Sequence, residues 1–244
     1  MRKIGLIGGI SWVSTADYYK LINQGINEKM GDLNFSECLL YSFNYDDIKK
    51  NNENNDWDST FKMLLKGCEF LKSGGAEAIV LCANTMHFIA DRLENAIGLP
   101  IIHIATVTAL EIEKQQIKKV GLLGTKFTME LDFFTDKLKA RGIEAIIPES
   151  QEDKDFIHTT IFEELGKGLV IESTKKRYLK IANELIKKGA QGIILGCTEI
   201  PLVIKAEDLS VPVFDTTLIH SKAAVEFQLC SLKYDIKVKA TNSI

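Results

Sequence analysis

The chain has 244 residues, 45% hydrophobic and 26% charged, a balance that excludes both a disordered and a fibrous protein. At roughly 150 residues per domain this length gives one or two domains, with ample chain for a core. Lys+Arg 30 against Asp+Glu 33 leaves a net charge of -3, which offers no general attraction to nucleic acid or to an anionic membrane.

No apolar run approaches the ~20 residues needed to cross a bilayer. The opening MRKIGLIGGISW is short and glycine-broken, and reads as a first buried strand, not a secretory signal. Strands are predicted at 3–8, 38–43, 77–82, 100–103, 119–124, 143–147, 191–195 and 211–214. These runs lack polar alternation, as strands covered on both faces do. Helices are predicted at 14–29, 58–73, 86–95, 104–114, 128–140, 153–166, 173–188 and 217–230. The asparagine-rich segment 49–57 reads as a surface loop. Trp12 and Trp57 read as packing residues. Five widely spaced cysteines argue against a disulfide scaffold, so a reducing cytoplasm is the expected setting.

The alternation of elements predicts an α/β protein with mainly parallel strands, and an internal repeat refines it. KIGLIGG at 3–9 returns as KVGLLGT at 119–125, a shift of 116. GAEAIVLCANT from Gly75 returns as GAQGIILGCTE from Gly189, a shift of 114. Leu99-Pro100-Ile101-Ile102-His103 returns as Val211-Pro212-Val213-Phe214-Asp215, a shift of 112. Two similar α/β subdomains with four-stranded sheets are therefore expected, related by a pseudo-twofold axis. The first takes residues 1–103 with a returning helix at 216–230, the second 104–215, and 231–244 is a tail. Ligands in such sheets bind outside the carboxyl ends of the strands, which places the site between the halves.

Two repeated loops then face each other. In the second half, Cys197 follows a buried strand and opens what reads as a helix, whose N–H groups favour thiolate. The competing reading is a small buried apolar residue. In the first half, Asn84 and Thr85 offer donors for a carboxylate, or simply cap a helix. Under the shift of 114, Cys197 matches Ala83, whereas Cys82 matches Gly196. Ser11 is a candidate donor beside the glycines of the first strand. The sequence carries no GxGxxG, no GxxxxGK[ST] and no GxSxG elbow. The four histidines show no metal-ligand spacing, so no metal is expected.

GLIGGISW, VLCANTMH, LLGTKFTM, IFEEL and LGCTEIPL together resemble the aspartate/glutamate racemase family over roughly residues 3 to 228, and most resemble its L-aspartate/glutamate-specific branch. The resemblance implies a two-domain α/β enzyme, often a homodimer, that racemises aspartate or glutamate without a cofactor. It also implies one acid/base residue on each side of the substrate Cα. Cys197 matches one of them, with Thr85, Thr125 and Thr198 among the residues at the substrate. The other position is Ala83, which can neither give nor take a proton, so Cys82 beside it is the candidate partner, with a water or another side chain as the alternative. The family's side-chain arginine is missing near Asp46-Asp47-Ile48-Lys49, where Asn52, Lys49 or Lys50 can substitute. Two rivals follow from Ala83: a single-cysteine decarboxylase or isomerase of a small dicarboxylate, and a non-catalytic amino-acid-binding relic.

Overall fold

The computed structural model describes residues 1–230. Two parallel sheets organise them. In the first, β1 (Ile4–Gly8) runs between β2 (Cys38–Ser42) and β3 (Ala78–Leu81). In the second, β4 (Lys119–Gly124) lies between β5 (Glu144–Ile146) and β6 (Ile193–Gly196), and β7 (Val213–Asp215) borders β6. The repeat is thus a repeat of topology, β1 answering β4 and β3 answering β6.

The first sheet has three strands where four are expected. Ile101 adds only a single parallel bridge to Ile79. Ile79 N–H donates to Pro100 O (2.9 Å) and Ile102 N–H donates to Ile79 O (3.0 Å). Pro100 has no N–H to extend the ladder, and helix begins at Ile104, so no strand develops. The bridge occupies beside β3 the place that β7 occupies beside β6.

Helices cover both faces of each sheet, which is why β1, β3 and β6 are buried along their whole length. Alternate residues of the first sheet enter different cores. Ile7, Ile79 and Leu81 pack with α3 (Trp57–Ser73) and α4 (Ala90–Ile97). Ile4, Leu6, Ala78, Val80 and Cys82 pack with α1 (Trp12–Met30) and α10 (Thr216–Leu229). The second sheet is clad by α8 (Gln151–Glu163) and α9 (Glu172–Lys187) on one face. Its other face meets α5 (Ile104–Lys114) and α7 (Asp132–Lys139). Late in the chain, α10 returns to the first sheet, where the Gln228 amide donates to the carbonyls of Arg2 and Glu37, both at 3.0 Å.

Three other expectations are corrected. The segment 49–57 is largely helical, in α2 (Tyr45–Glu53). Its polar composition hides a local logic: Ile48 and Asn52, one turn apart, are buried, and Asp46–Lys50 (2.6 Å) and Lys49–Glu53 (3.6 Å) pair at i,i+4. The helix predicted at 128–140 is two, α6 (Lys126–Glu130) and α7, separated by extended Leu131 (ψ 142). The helix at 86–95 begins as a 3-10 turn, Thr85–Ile89, before α4. The predicted tail 231–244 lies outside the described residues. No helix among the described residues is long and apolar enough to cross a membrane.

Candidate active site

A cavity of about 690 Å³ opens at the carboxyl ends of β1, β3, β4 and β6, between the two sheets. Its first-half wall carries Ser11, Asn52, Ala83, Asn84 and Thr85, and its second-half wall Thr125, Cys197 and Thr198. The sequence therefore brings eight of its nine proposed residues into one space. Cys82 is the exception.

Backbone geometry explains the first wall. After β1, Gly9 turns with φ +84, and its N–H donates to Thr15 Oγ1 (2.9 Å). A Cβ there would strike the backbone of Phe43, so only glycine lets the turn lie against β2's exit. The turn delivers Ser11 to the start of α1, where its side chain makes no capping bond. After β3, the His87 imidazole Nδ1 donates to the carbonyls of Ala83 (3.0 Å) and Asn84 (3.2 Å), pinning the 3-10 turn from beneath. Asn84 Nδ2 donates to Thr216 Oγ1 (3.2 Å), which itself donates to Leu195 O (2.8 Å), tying the turn to the second sheet. Asn84 Oδ1 is buried without a partner among the described residues. Thr85 and Thr125 hydroxyls meet across the cavity floor at 3.3 Å, one from each half.

The second wall holds the thiol. Gly196 ends β6, and a Cβ there would sit 2.9 Å from Leu123 O, so glycine allows β4 and β6 to close up under the site. Cys197 follows, half-buried, and its Sγ–H donates to Glu199 Oε2 at 2.8 Å. The same oxygen accepts from Thr198 Oγ1 at 2.8 Å, so that hydroxyl proton is committed inside the loop. Glu199 is only 9% exposed. Of the cavity's other carboxylates, Glu53 pairs with Lys49 (3.6 Å) and Glu163 with Lys167 (2.7 Å). Glu199 has no ion-pair partner among the described residues.

The thiol's acidity runs against expectation. Burial first, then the charge of Glu199, push Cys197 well above the ordinary thiol range, and the N–H groups of Glu199 and Thr198 offset this only in part. The segment that follows is a 3-10 turn of three residues, Ile200–Leu202, too short for a useful helix dipole. Two unit negative charges 2.8 Å apart repel by about 6 kcal/mol at an effective dielectric of about 20. The resting sulfur is therefore a thiol.

The profile of the Asp/Glu/Hydantoin racemase family matches residues 7–224. The chain belongs to this family. Relatives span almost the whole length. The broad specificity amino-acid racemase RacX of Bacillus subtilis is 24% identical over 239 residues, 93% of this chain and 98% of that one. A crystal structure from Yersinia pestis, described as a candidate Asp/Glu racemase, is 44% identical with a TM-score of 0.89, covering 94% of this chain and 100% of that one. An aspartate racemase homologue from Pyrococcus horikoshii is 37% identical with a TM-score of 0.82, covering 93% and 99%. An arylmalonate decarboxylase variant shares the fold at a TM-score of 0.54 and 13% identity.

Within this racemase-family site, Cys82 is misplaced for the role expected of it. It continues the alternation of Ala78 and Val80, so its side chain enters the core under α1 and α10 and is 1% exposed. Ala83 takes the cavity face instead and packs with the core that holds Leu81, as Cys197 packs with the core that holds Leu195. Trp12 is likewise no core residue: it is 74% exposed at the cavity mouth. Trp57 does pack, its ring 4.7 Å from that of Phe88. Sequence reasoning passed over Glu199, although the GCTE motif displays an acid two residues from the thiol. It also missed Tyr45 of α2 and His158 of α8, which reach the cavity through helices with no motif to mark them. Among the described residues no group of three His, Cys, Asp or Glu side chains is placed to hold a metal ion.

Proposed function

We propose that this chain racemises a free amino acid without a cofactor, Cys197 moving the α-proton on one face of Cα. The observation that carries this is the thiol–carboxylate pair of Cys197 and Glu199 in a cavity wall, opposite a turn of amide and hydroxyl donors. Proton transfer at Cα needs a positioned acid/base and hydrogen-bond donors for the charge that develops on the α-carboxylate. Ser11 and Thr85 hydroxyls and the free N–H groups at the start of the Thr85–Ile89 turn serve as those donors. The unpartnered Asn84 Oδ1 suits the α-ammonium.

Aspartate and glutamate are the proposed substrates. Thr60 donates to Asn52 Oδ1 (3.0 Å), so the buried Asn52 presents its NH2 end, and Lys49 lines the same side of the cavity. Both are donors for a side-chain carboxylate. On the Ala83 face a water carries the second proton, because Ala83 itself has no titratable group.

The test is proton NMR in D2O with each enantiomer of aspartate and glutamate, read beside chiral chromatography and without added cofactor. Exchange at Cα that outpaces inversion, with both lost in Cys197→Ala, is the expected result. Absence of exchange with all four compounds would overturn the acidic-substrate assignment, and absence with every amino acid the racemase reading itself.

A further inference from the structure

We propose that Glu199 accepts the proton of Cys197, so that the sulfur relays the substrate's α-proton and stays neutral throughout. This rests on the racemase reading above and adds to it the residue that makes the thiol a base. Three observations meet here. Cys197 Sγ–H points at Glu199 Oε2 over 2.8 Å, a distance suited to transfer. Glu199 is buried and has no counter-cation among the described residues, an arrangement that costs stability unless the carboxylate has work to do. The Thr198 hydroxyl fixes the same oxygen at 2.8 Å, so the acceptor is held in place before substrate arrives.

The step balances without a free thiolate. The Cα–H bond breaks and its proton forms a new S–H bond. The old S–H bond breaks and that proton forms an O–H bond on Glu199. The negative charge moves from the carboxylate to the substrate carbanion, where the donors of the Asn84 turn receive it. The reverse sequence returns a proton to Cα. In the resting protein burial and the same carboxylate together keep the sulfur protonated, so the group that enables turnover also helps to suppress the thiol's reactivity. A purely structural glutamate does not have these opposed effects.

That opposition is the test. Glu199→Gln keeps an acceptor for Thr198 but cannot take a proton. The expected result is a fall of about 100-fold in Cα exchange, within the range of a general acid–base contribution. Alkylation of Cys197 by iodoacetamide at pH 7.5, followed by mass spectrometry, is expected to quicken severalfold. Glu199→Asp retains a carboxylate and is expected to keep more exchange than Glu199→Gln. Exchange within threefold of the parent in Glu199→Gln overturns the relay. So does equal loss in both variants with alkylation unchanged or slower, the pattern of a merely structural residue. Alkylation needs no substrate, so an inactive parent protein refutes the racemase reading alone, while the alkylation rates still decide whether Glu199 controls the thiol.

Discussion

Restoring an acid/base at Ala83 is the most direct probe of a site with one chemical wall. Ala83→Cys places a thiol at the position that answers Cys197 under the 114-residue repeat, on the cavity face of the first sheet. The cavity of about 690 Å³ takes the added sulfur without displacing backbone, and Ala83 is only partly buried. Stability should therefore change by less than about 1 kcal/mol. Cys197 works against a neighbouring carboxylate, whereas no carboxylate hydrogen-bonds to Ala83 or the Asn84 turn. The introduced thiol is accordingly the easier of the two to ionise.

A positioned acid or base contributes about 10²–10⁴-fold, which is about 2.7–5.4 kcal/mol off the barrier at 1.36 kcal/mol per decade. That gain falls on inversion alone, because exchange from the Cys197 face already has its base. The informative quantity is the ratio of inversion, by chiral chromatography, to Cα exchange, by NMR in D2O. It should rise from well below one in the parent towards one in Ala83→Cys. If the ratio stays at its parental value while iodoacetamide labels the introduced thiol, water is not the limiting donor on that face. The account of Ala83 would then be wrong.

Cys82→Ala should cost about 1 kcal/mol through a small cavity under α1 and leave Cα exchange within about threefold, since Cys82 lies in the core. A loss of exchange without loss of stability would return it to the mechanism. Gly9→Ala should lower stability by more than about 2 kcal/mol and weaken substrate binding, because φ +84 and the Phe43 backbone both refuse a Cβ; an unchanged Tm would refute this. Burial pushes His87 down to about 4 and His220 down to about 3. The unfolded chain then binds more protons than the folded one below the usual histidine range, near 6.5, so stability is full above it and lost as pH falls. By pH 5 the two together cost about 4 kcal/mol. Urea denaturation at pH 7.5 and 5 checks this, and no drop on acidification would contradict it.

The legible and illegible parts of this sequence differ in kind. Strand alternation has period two, and the repeat with its shift of 114 matches Ala83, not Cys82, to Cys197. Pairing Cys82 with catalysis required a bend that turns it to the cavity, and the unbroken alternation of Ala78, Val80 and Cys82 leaves it in the core instead. Helix α2 escaped because its asparagines and lysines hide a two-residue apolar and amide face, Ile48 and Asn52, that only burial reveals. The role of Glu199 escaped for another reason. A single glutamate in a loop resembles solvated charge until a 2.8 Å contact and the lack of a cation among the described residues are seen together.

That missing cation also bears on which ligands the cavity accepts. Aspartate and succinate differ in the α-ammonium, so they separate recognition of carboxylates from recognition of the amine. With Glu199 buried beside Cys197 and without an ion-pair partner among the described residues, a second carboxylate arriving there without an ammonium meets repulsion, and an amino acid brings the neutralising charge with it. Succinate should bind at least about tenfold more weakly than aspartate, a difference of about 1.4 kcal/mol by calorimetry. In Glu199→Gln the repulsive charge is gone, and the gap should narrow from both sides, aspartate weakening and succinate strengthening. Equal binding of the two in the parent protein would remove the electrostatic case against a dicarboxylate substrate. The decarboxylase rival would then regain its standing, because a single thiol beside Ala83 is sufficient for one-sided protonation.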